Sequence, residues 1–250
     1  MELRLEGKTA LVTGASMGIG RYIAAGLARE GVAVAVAARR IDLLESLRQQ
    51  IKAEGAIEPV IIEADLTDAE MPKHLAKAML DKMKHVDILI NAAGGSRPVK
   101  YDAPAQEWES AMMLNFFRLR ELTTALIPNM IHQRWGRIIN LTGTSEPRGS
   151  NATFPAKAAV HVWAKGLSRE IGQYGITVNS IQPGSIISEQ LMRLYPTEDD
   201  RRRFCREVPV GRFGEPAELG DLAIFLASPL ASYITGAVIP VDGGRYRFAF

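Results

Sequence analysis

Three glycines, Gly14, Gly18 and Gly20, stand at spacings of four and two in residues 9–20, TALVTGASMGIG. A short apolar run precedes them and a helical pattern follows, which is the setting a phosphate-holding turn requires. Each glycine has its own task there. Gly14 lets the chain leave the strand sharply, Gly18 lets the backbone approach a pyrophosphate, and Gly20 lets the new helix pack close to the sheet. The helix N-terminus offers free N–H groups and a partial positive charge. Ser16 adds a hydroxyl donor, and Met17 and Ile19 complete the turn. An ordinary glycine turn would carry the same residues; the strand–turn–helix context separates the two readings. The second apolar run ends in Ala38, Arg39, Arg40. A dinucleotide fold that takes NAD places a carboxylate near this point, for the ribose 2′-hydroxyl. Two guanidiniums suit a 2′-phosphate instead, so NADP(H) is expected over NAD(H). Asp65 and Leu66 close the third run, where the carboxylate can accept from an adenine amino group or cap a following helix. Asn91, Ala92, Ala93 and Gly94 close the fourth, where small side chains leave room for a flat ring or simply make a tight turn.

The elements that must hold these residues follow from the apolar pattern. Strands are expected at 9–13, 33–37, 58–63, 88–91, 137–141, 177–182 and 237–241. Helices are expected near 21–30, 43–54, 69–83, 105–130, 155–174 and 216–227. The strands read as continuous apolar runs, as strands covered on both faces do. Seven strands with helical crossovers give an α/β fold: one Rossmann-type doubly wound parallel sheet, with helices on both faces, spanning residues 1–250 as a single domain. The polar, proline-bearing stretch 185–216 is too long for a plain connection and reads as a lid.

The bulk numbers narrow the class. The chain has 250 residues, 47% hydrophobic and 23% charged, with net charge +2. That excludes a strong field for nucleic acid or a membrane surface. One cysteine, Cys205, rules out an internal disulfide. The charged start MELRLEGK does not read as a signal peptide, and no apolar run reaches membrane-spanning length, so a cytoplasmic protein is expected. His74, His85, His132 and His161 have no ligand-like spacing, so no metal is expected.

Taken together, these motifs resemble the short-chain dehydrogenases/reductases, in the single-domain form that includes 3-oxoacyl-carrier-protein reductases. Thr13-Gly14-x-x-x-Gly18-x-Gly20 is similar to that family's TGxxxGxG, Asp65 to its adenine-side aspartate, and Asn91-Ala92-Ala93-Gly94 to its NNAG. Asn115 is similar to its helix asparagine, and Pro183-Gly184 to its turn after the sixth strand. Ile186 and Ser188 fall near its carboxamide-contacting threonine. VPVGRFGEP (208–216) and ITGAVIPVDGG (234–244) resemble its carboxyl-terminal signatures. The resemblance implies a hydride-transferring enzyme, a small-molecule substrate, and a homodimer or homotetramer. It also implies that Lys157 is the family lysine, which holds the ribose and lowers the pKa of a tyrosine four residues earlier. Here that position is Thr153, and the family serine position falls at Gly143.

A threonine hydroxyl is shorter and far less acidic than a phenol. Thr153, followed by Pro155 in the first helical turn, reads more readily as a helix cap. Stand-ins are Thr142, Thr144 and Ser145 for binding the substrate oxygen. For the acid they are Tyr195 in the lid, or a water held by Lys157 and Asn115. His161, one turn beyond Lys157, reads as a packing or interface residue. Two functions stay open: an NADP(H)-dependent oxidoreductase of a carbonyl, alcohol or activated double bond with an atypical acid site, and a non-catalytic NADP-binding sensor or silent subunit. Apolar residues on several faces of 105–130 and 155–174, with the tail RYRFAF, read as partner surfaces.

Overall fold

A computed structural model describes residues 2–144, 146, 147 and 149–247, with only the backbone of Gln190. Seven parallel strands run in the order β3-β2-β1-β4-β5-β6-β7. They are β1 (Thr9–Thr13), β2 (Ala33–Ala38), β3 (Val60–Glu63), β4 (Ile88–Asn91), β5 (Gly136–Leu141), β6 (Ile176–Pro183) and β7 (Val238–Val241). The helices are α1 (Gly18–Arg29), α2 (Ile41–Ala53), α3 (Met71–Met83), α4 (Ala105–Met112), α5 (Arg118–Gln133), α6 (Thr153–Ile171), α7 (Glu189–Leu194), α8 (Glu198–Cys205) and α9 (Pro216–Ala227).

Successive side chains of a strand point to opposite faces, so each strand feeds two cores. Ala10 and Val12 of β1 join Ile23 and Leu27 of α1, Leu44 and Leu47 of α2, and Leu219 of α9. Leu11 joins the other layer, with Leu75 and Met79 of α3, Leu122 and Leu126 of α5, and Ala164 of α6. Both faces of the sheet are thus sealed by helices, which leaves the carboxyl ends of the strands as the open edge. The strand order reverses between β1 and β4, and a crevice opens there.

Two expectations about helices need correction. The segment expected as one helix, 105–130, is two, joined by a π-helical turn over Met113–Phe117. Hydrophobic spacing does not reveal a turn of that width. The stretch 185–216, where no helix is expected, forms two: α7, started by the Ser188 hydroxyl accepting from Leu191 N–H (3.1 Å), and α8, started by a Thr197–Asp200 capping box. Among the described residues no helix is long and apolar enough to cross a membrane.

The turn after β1 is packed backbone on backbone. A Cβ on Gly20 would sit 2.5 Å from Gly14 O, and one on Gly14 would sit 2.8 Å from Ala92 O and Ala93 N. Gly166, on an exposed face of α6, has nothing within 4 Å of such a Cβ. Gly20→Ala is therefore expected to destabilise the fold by about 1–3 kcal/mol through overpacking. Gly166→Ala is expected to stabilise it by about 0.5–1 kcal/mol, as alanine does in an unobstructed helix. Urea midpoints of the two variants check both signs.

Candidate functional site

A cleft of about 760 Å³ lies along the carboxyl edge of the sheet. From the turn after β1 it takes Gly14, Ser16, Met17, Gly18, Ile19 and Gly20. Gly14 has φ +66° and Gly18 φ +57°. No side chain caps the N-terminus of α1 and no acidic residue stands in its first turn, so its N–H groups face the cleft unopposed by negative charge. The ends of β2 and β3 contribute Arg39, Arg40, Asp65 and Leu66, and the end of β4 contributes Ala92, Ala93 and Gly94. Thr142, Thr153 and Lys157 line it from β5 and α6, and Pro183, Gly184, Ile186 and Ser188 from the segment after β6.

Two expected residues stand behind the wall. Asn91 is buried, its amide donating to Asn140 Oδ1 (2.9 Å) and Thr123 Oγ1 (3.0 Å), so it joins β4 to β5 and α5. Asn115 sits in the π-turn. Its amide donates to Ala111 O (2.9 Å), and its Oδ1 accepts from Gly95 N–H (3.2 Å). A Cβ on Gly94 would lie 2.6 Å from Asn115 Oδ1 and 3.1 Å from Lys157 Nζ, so both polar ends converge on that glycine. Ser145 lies outside the described residues.

Lys157 is 6% exposed, and its Nζ donates to Leu141 O (2.8 Å). Burial pulls its pKa down from 10.5 to about 8. The Thr142 hydroxyl donates to Ile181 O (3.0 Å), which leaves its oxygen to accept from His161 Nε2 (2.7 Å). His161 is thus tied to the rear of the cleft wall rather than to packing alone. Burial first, and Lys157 second, lower its pKa, so it is neutral at pH 7. Asp65 Oδ1 accepts from the N–H and the hydroxyl of Thr67, the first of which chiefly holds its pKa down. It makes that local turn and does not cap α3, which starts at Met71.

Thr153 is not the cap of α6. Its N–H donates to Asn151 Oδ1 (2.9 Å), and its hydroxyl donates to Gly95 O (2.7 Å). Asn151 takes the capping role and also binds Arg97 N–H (3.3 Å) and Ser96 Oγ (2.7 Å), stitching the loop after β4 to the start of α6. Tyr195 is likewise removed from the acid's place. It packs against Phe204 and Phe213, with ring centroids 4.9 and 5.9 Å away, and does not line the cleft. Arg40 already has an anionic neighbour, Glu189 of α7 at 3.9 Å. The tail expectation also changes. The Tyr246 hydroxyl donates to Thr144 Oγ1 (3.1 Å) and Arg245 lines the cleft, while residues 248–250 lie outside the described residues. Ser96, Phe154, Arg193 and Arg245 are wall residues that no motif marked.

Between pH 8 and 10.5 the folded chain binds fewer protons at Lys157 than the unfolded chain, so this residue's contribution to stability improves as pH rises through that window. Below pH 8 the ammonium carries the full desolvation cost, about 3 kcal/mol for that shift. Relative to Lys157→Met, the natural protein is expected to gain up to about that much between pH 7 and 10.5. Urea unfolding of both at several pH values measures it, and parallel curves would contradict the buried ammonium.

Comparison with known proteins agrees with this geometry. A family model described as enoyl-(acyl carrier protein) reductase matches residues 14–245. The 3-oxoacyl-[acyl-carrier-protein] reductase FabG of Staphylococcus epidermidis is 38% identical over 244 residues, 96% of this chain and 99% of that protein. Among solved structures, YwfH, an NADPH-dependent reductase involved in bacilysin biosynthesis, superposes with a TM-score of 0.93 at 27% identity, covering 96% of this chain and 99% of that one. A 7α-hydroxysteroid dehydrogenase complexed with NADH and 7-oxo glycochenodeoxycholic acid gives 0.92 at 31% identity, covering 97% and 96%. With its family model, its curated relatives and its fold in agreement, the chain belongs to the short-chain dehydrogenase/reductase family.

Proposed function

We propose that this protein is an NADP(H)-dependent oxidoreductase of a small carbonyl, alcohol or activated double bond, with an atypical acid site. The observation that carries the reading is one continuous cleft that joins the glycine turn, the open N-terminus of α1, two arginines and a buried lysine. The cradle fits the cofactor. Gly18 has nothing within 4 Å of a would-be Cβ, so space for phosphate oxygens is free, and Gly14 and Gly20 admit no side chain. The relatives differ in cofactor, NADPH for one and NADH for another, so the local charge is what favours NADP(H) here. A 2′-phosphate would replace Glu189 as the anion beside Arg40, coupling cofactor entry to the lid at 185–216.

Bound in this cleft, the nicotinamide supplies the hydride. Lys157, protonated below about pH 8, is placed to donate to ribose hydroxyls and to hold positive charge near the reacting oxygen. Asn115 Oδ1 and Lys157 Nζ, both against Gly94, could hold a water between them as proton source. Thr153 is an unsuitable acid, because its hydroxyl is committed to Gly95 O. A reaction without a dedicated acid would be slower by about 10²–10⁴-fold. That same commitment favours the second reading, a cofactor-binding sensor or silent subunit. Exposed Met113, Phe117 and Val162 (78% exposed), beside the Phe116–Trp163 contact, support a homodimer or homotetramer. A single cysteine suits a reducing compartment, and we place the protein in the cytoplasm.

Fluorescence titration is expected to show NADPH binding more tightly than NADH. Arg40→Ala is expected to weaken NADPH by about 10–100-fold, the worth of one charge-assisted hydrogen bond, and to leave NADH nearly unchanged. Equal weakening of both would refute the 2′-phosphate role. No binding of either would remove the cofactor reading.

The acid site has its own test. A Cβ on Gly143 would meet only ordinary contacts, 3.7 Å from Lys157 Cβ and Cγ, so a serine fits there. Gly143→Ser combined with Thr153→Tyr is expected to raise ketone reduction by about 10²-fold or more. Unchanged turnover in a folded double variant that binds NADPH would show that more than the acid is absent.

A further inference from the structure

Arg245 follows the Asp242–Gly244 turn beyond β7, at the far edge of the sheet. Strands lie about 4.8 Å apart, so β7 is about 19 Å along the sheet from β1 and its phosphate-binding turn. Arg39, Arg40 and Asp65 stand on the opposite side of β1. Arg245 therefore belongs to the substrate end of the cleft, not to the nucleotide end.

Its position is fixed from both sides. Asp242 accepts from Gly244 N–H (3.0 Å) and Tyr246 N–H (2.7 Å). The Tyr246 hydroxyl reaches Thr144 (3.1 Å), itself a cleft residue, and Arg247 N–H donates to Glu146. The neighbouring carboxylates of Asp242 and Glu146 are thus engaged by backbone N–H groups. The guanidinium lies over the ring of Phe204, 4.8 Å from its centroid, against the Tyr195–Phe204–Phe213 cluster. Among the described residues no carboxylate forms an ion pair with it. A half-buried arginine stacked on an aromatic ring keeps its planar fork of donors, which matches a carboxylate.

We propose that Arg245 is the anion-binding residue of the substrate pocket, and that the substrate is a carboxylate-bearing carbonyl compound, an oxo acid, or the corresponding hydroxy acid. The assignment rests on the oxidoreductase reading and names its substrate class. In the reductive direction the ketone carbon would accept the hydride of a bound reduced cofactor and the ketone oxygen a proton from water, which is left as hydroxide. The ketone becomes an alcohol, the cofactor is oxidised, and the carboxylate is unchanged.

The test uses 4-oxopentanoate, 5-oxohexanoate and 6-oxoheptanoate, each beside its methyl ester. Binding to the full-length protein is followed by calorimetry, with and without NADP(H), and NADPH oxidation is followed in parallel. At least one acid is expected to bind better than its ester. Arg245→Ala should erase that preference by lowering acid affinity about 10–100-fold while sparing the ester, and Arg245→Lys should keep part of it. Equal binding of acid and ester, no binding of any acid, or equal losses for both in Arg245→Ala would overturn the assignment. So would a loss of NADPH affinity in place of acid affinity. Failure of both nucleotides to bind would instead overturn the oxidoreductase reading, and Arg245-dependent acid binding to the nucleotide-free protein would then still decide this one.

Discussion

The constraint on which the rest depends is the contact between two backbones at the point where the strand order reverses. Gly14 lies against Ala92 and Ala93 so closely that a single Cβ would reach 2.8 Å from their atoms. The Thr13 hydroxyl locks the same junction, donating to Ile90 O and accepting from the N–H groups of Ala92 and Ala93. With β1 and β4 held at that distance, α1 begins directly over the crevice. Gly94 is then brought beneath Lys157 and Asn115. Glycine turn and candidate reaction centre are two ends of one tight junction.

Most of this scaffold was legible because its reasons are local. Continuous apolar runs forecast strands buried on both faces, and every one of the seven is present, with ends shifted by at most two residues. The glycine turn was legible because three positions tolerate no other residue or leave space free. What stayed hidden depends on partners distant in sequence. Thr153 looked like a cap, but Asn151 holds that role and Thr153 reaches back to Gly95. Asn91 looked like a cleft residue, but its amide is spent between strands. Tyr195 had the right chemistry for an acid and lies in an aromatic cluster instead. Arg245 sat in a tail whose aromatics read as a partner surface, and only the fold brings it to the far end of the cleft.

The segment 185–216 reaches both ends of the cleft. Glu189 near its start faces Arg40 beside the glycine turn, while Phe204 further on carries Arg245 at the opposite end. Surface ion pairs of this length contribute little on their own. The pair at 3.9 Å is therefore readily broken, and the Tyr195–Phe204–Phe213 cluster is the part of this segment that holds its form.

The π-turn at Met113–Phe117 has a consequence for how this region can vary. One residue in an α-helix corresponds to about 100° of rotation. The turn takes up a single extra residue, and within it the Asn115 amide donates to Ala111 O (2.9 Å). Because the wide turn absorbs that residue, the segments on either side keep the phase of an unbroken helix, and Leu122 and Leu126 of α5 stay in the core. One residue more at this place therefore costs the helix no phase, whereas one added within α5 would turn its apolar face by about 100°, and the place it occupies is the one that presents Asn115 to Gly94.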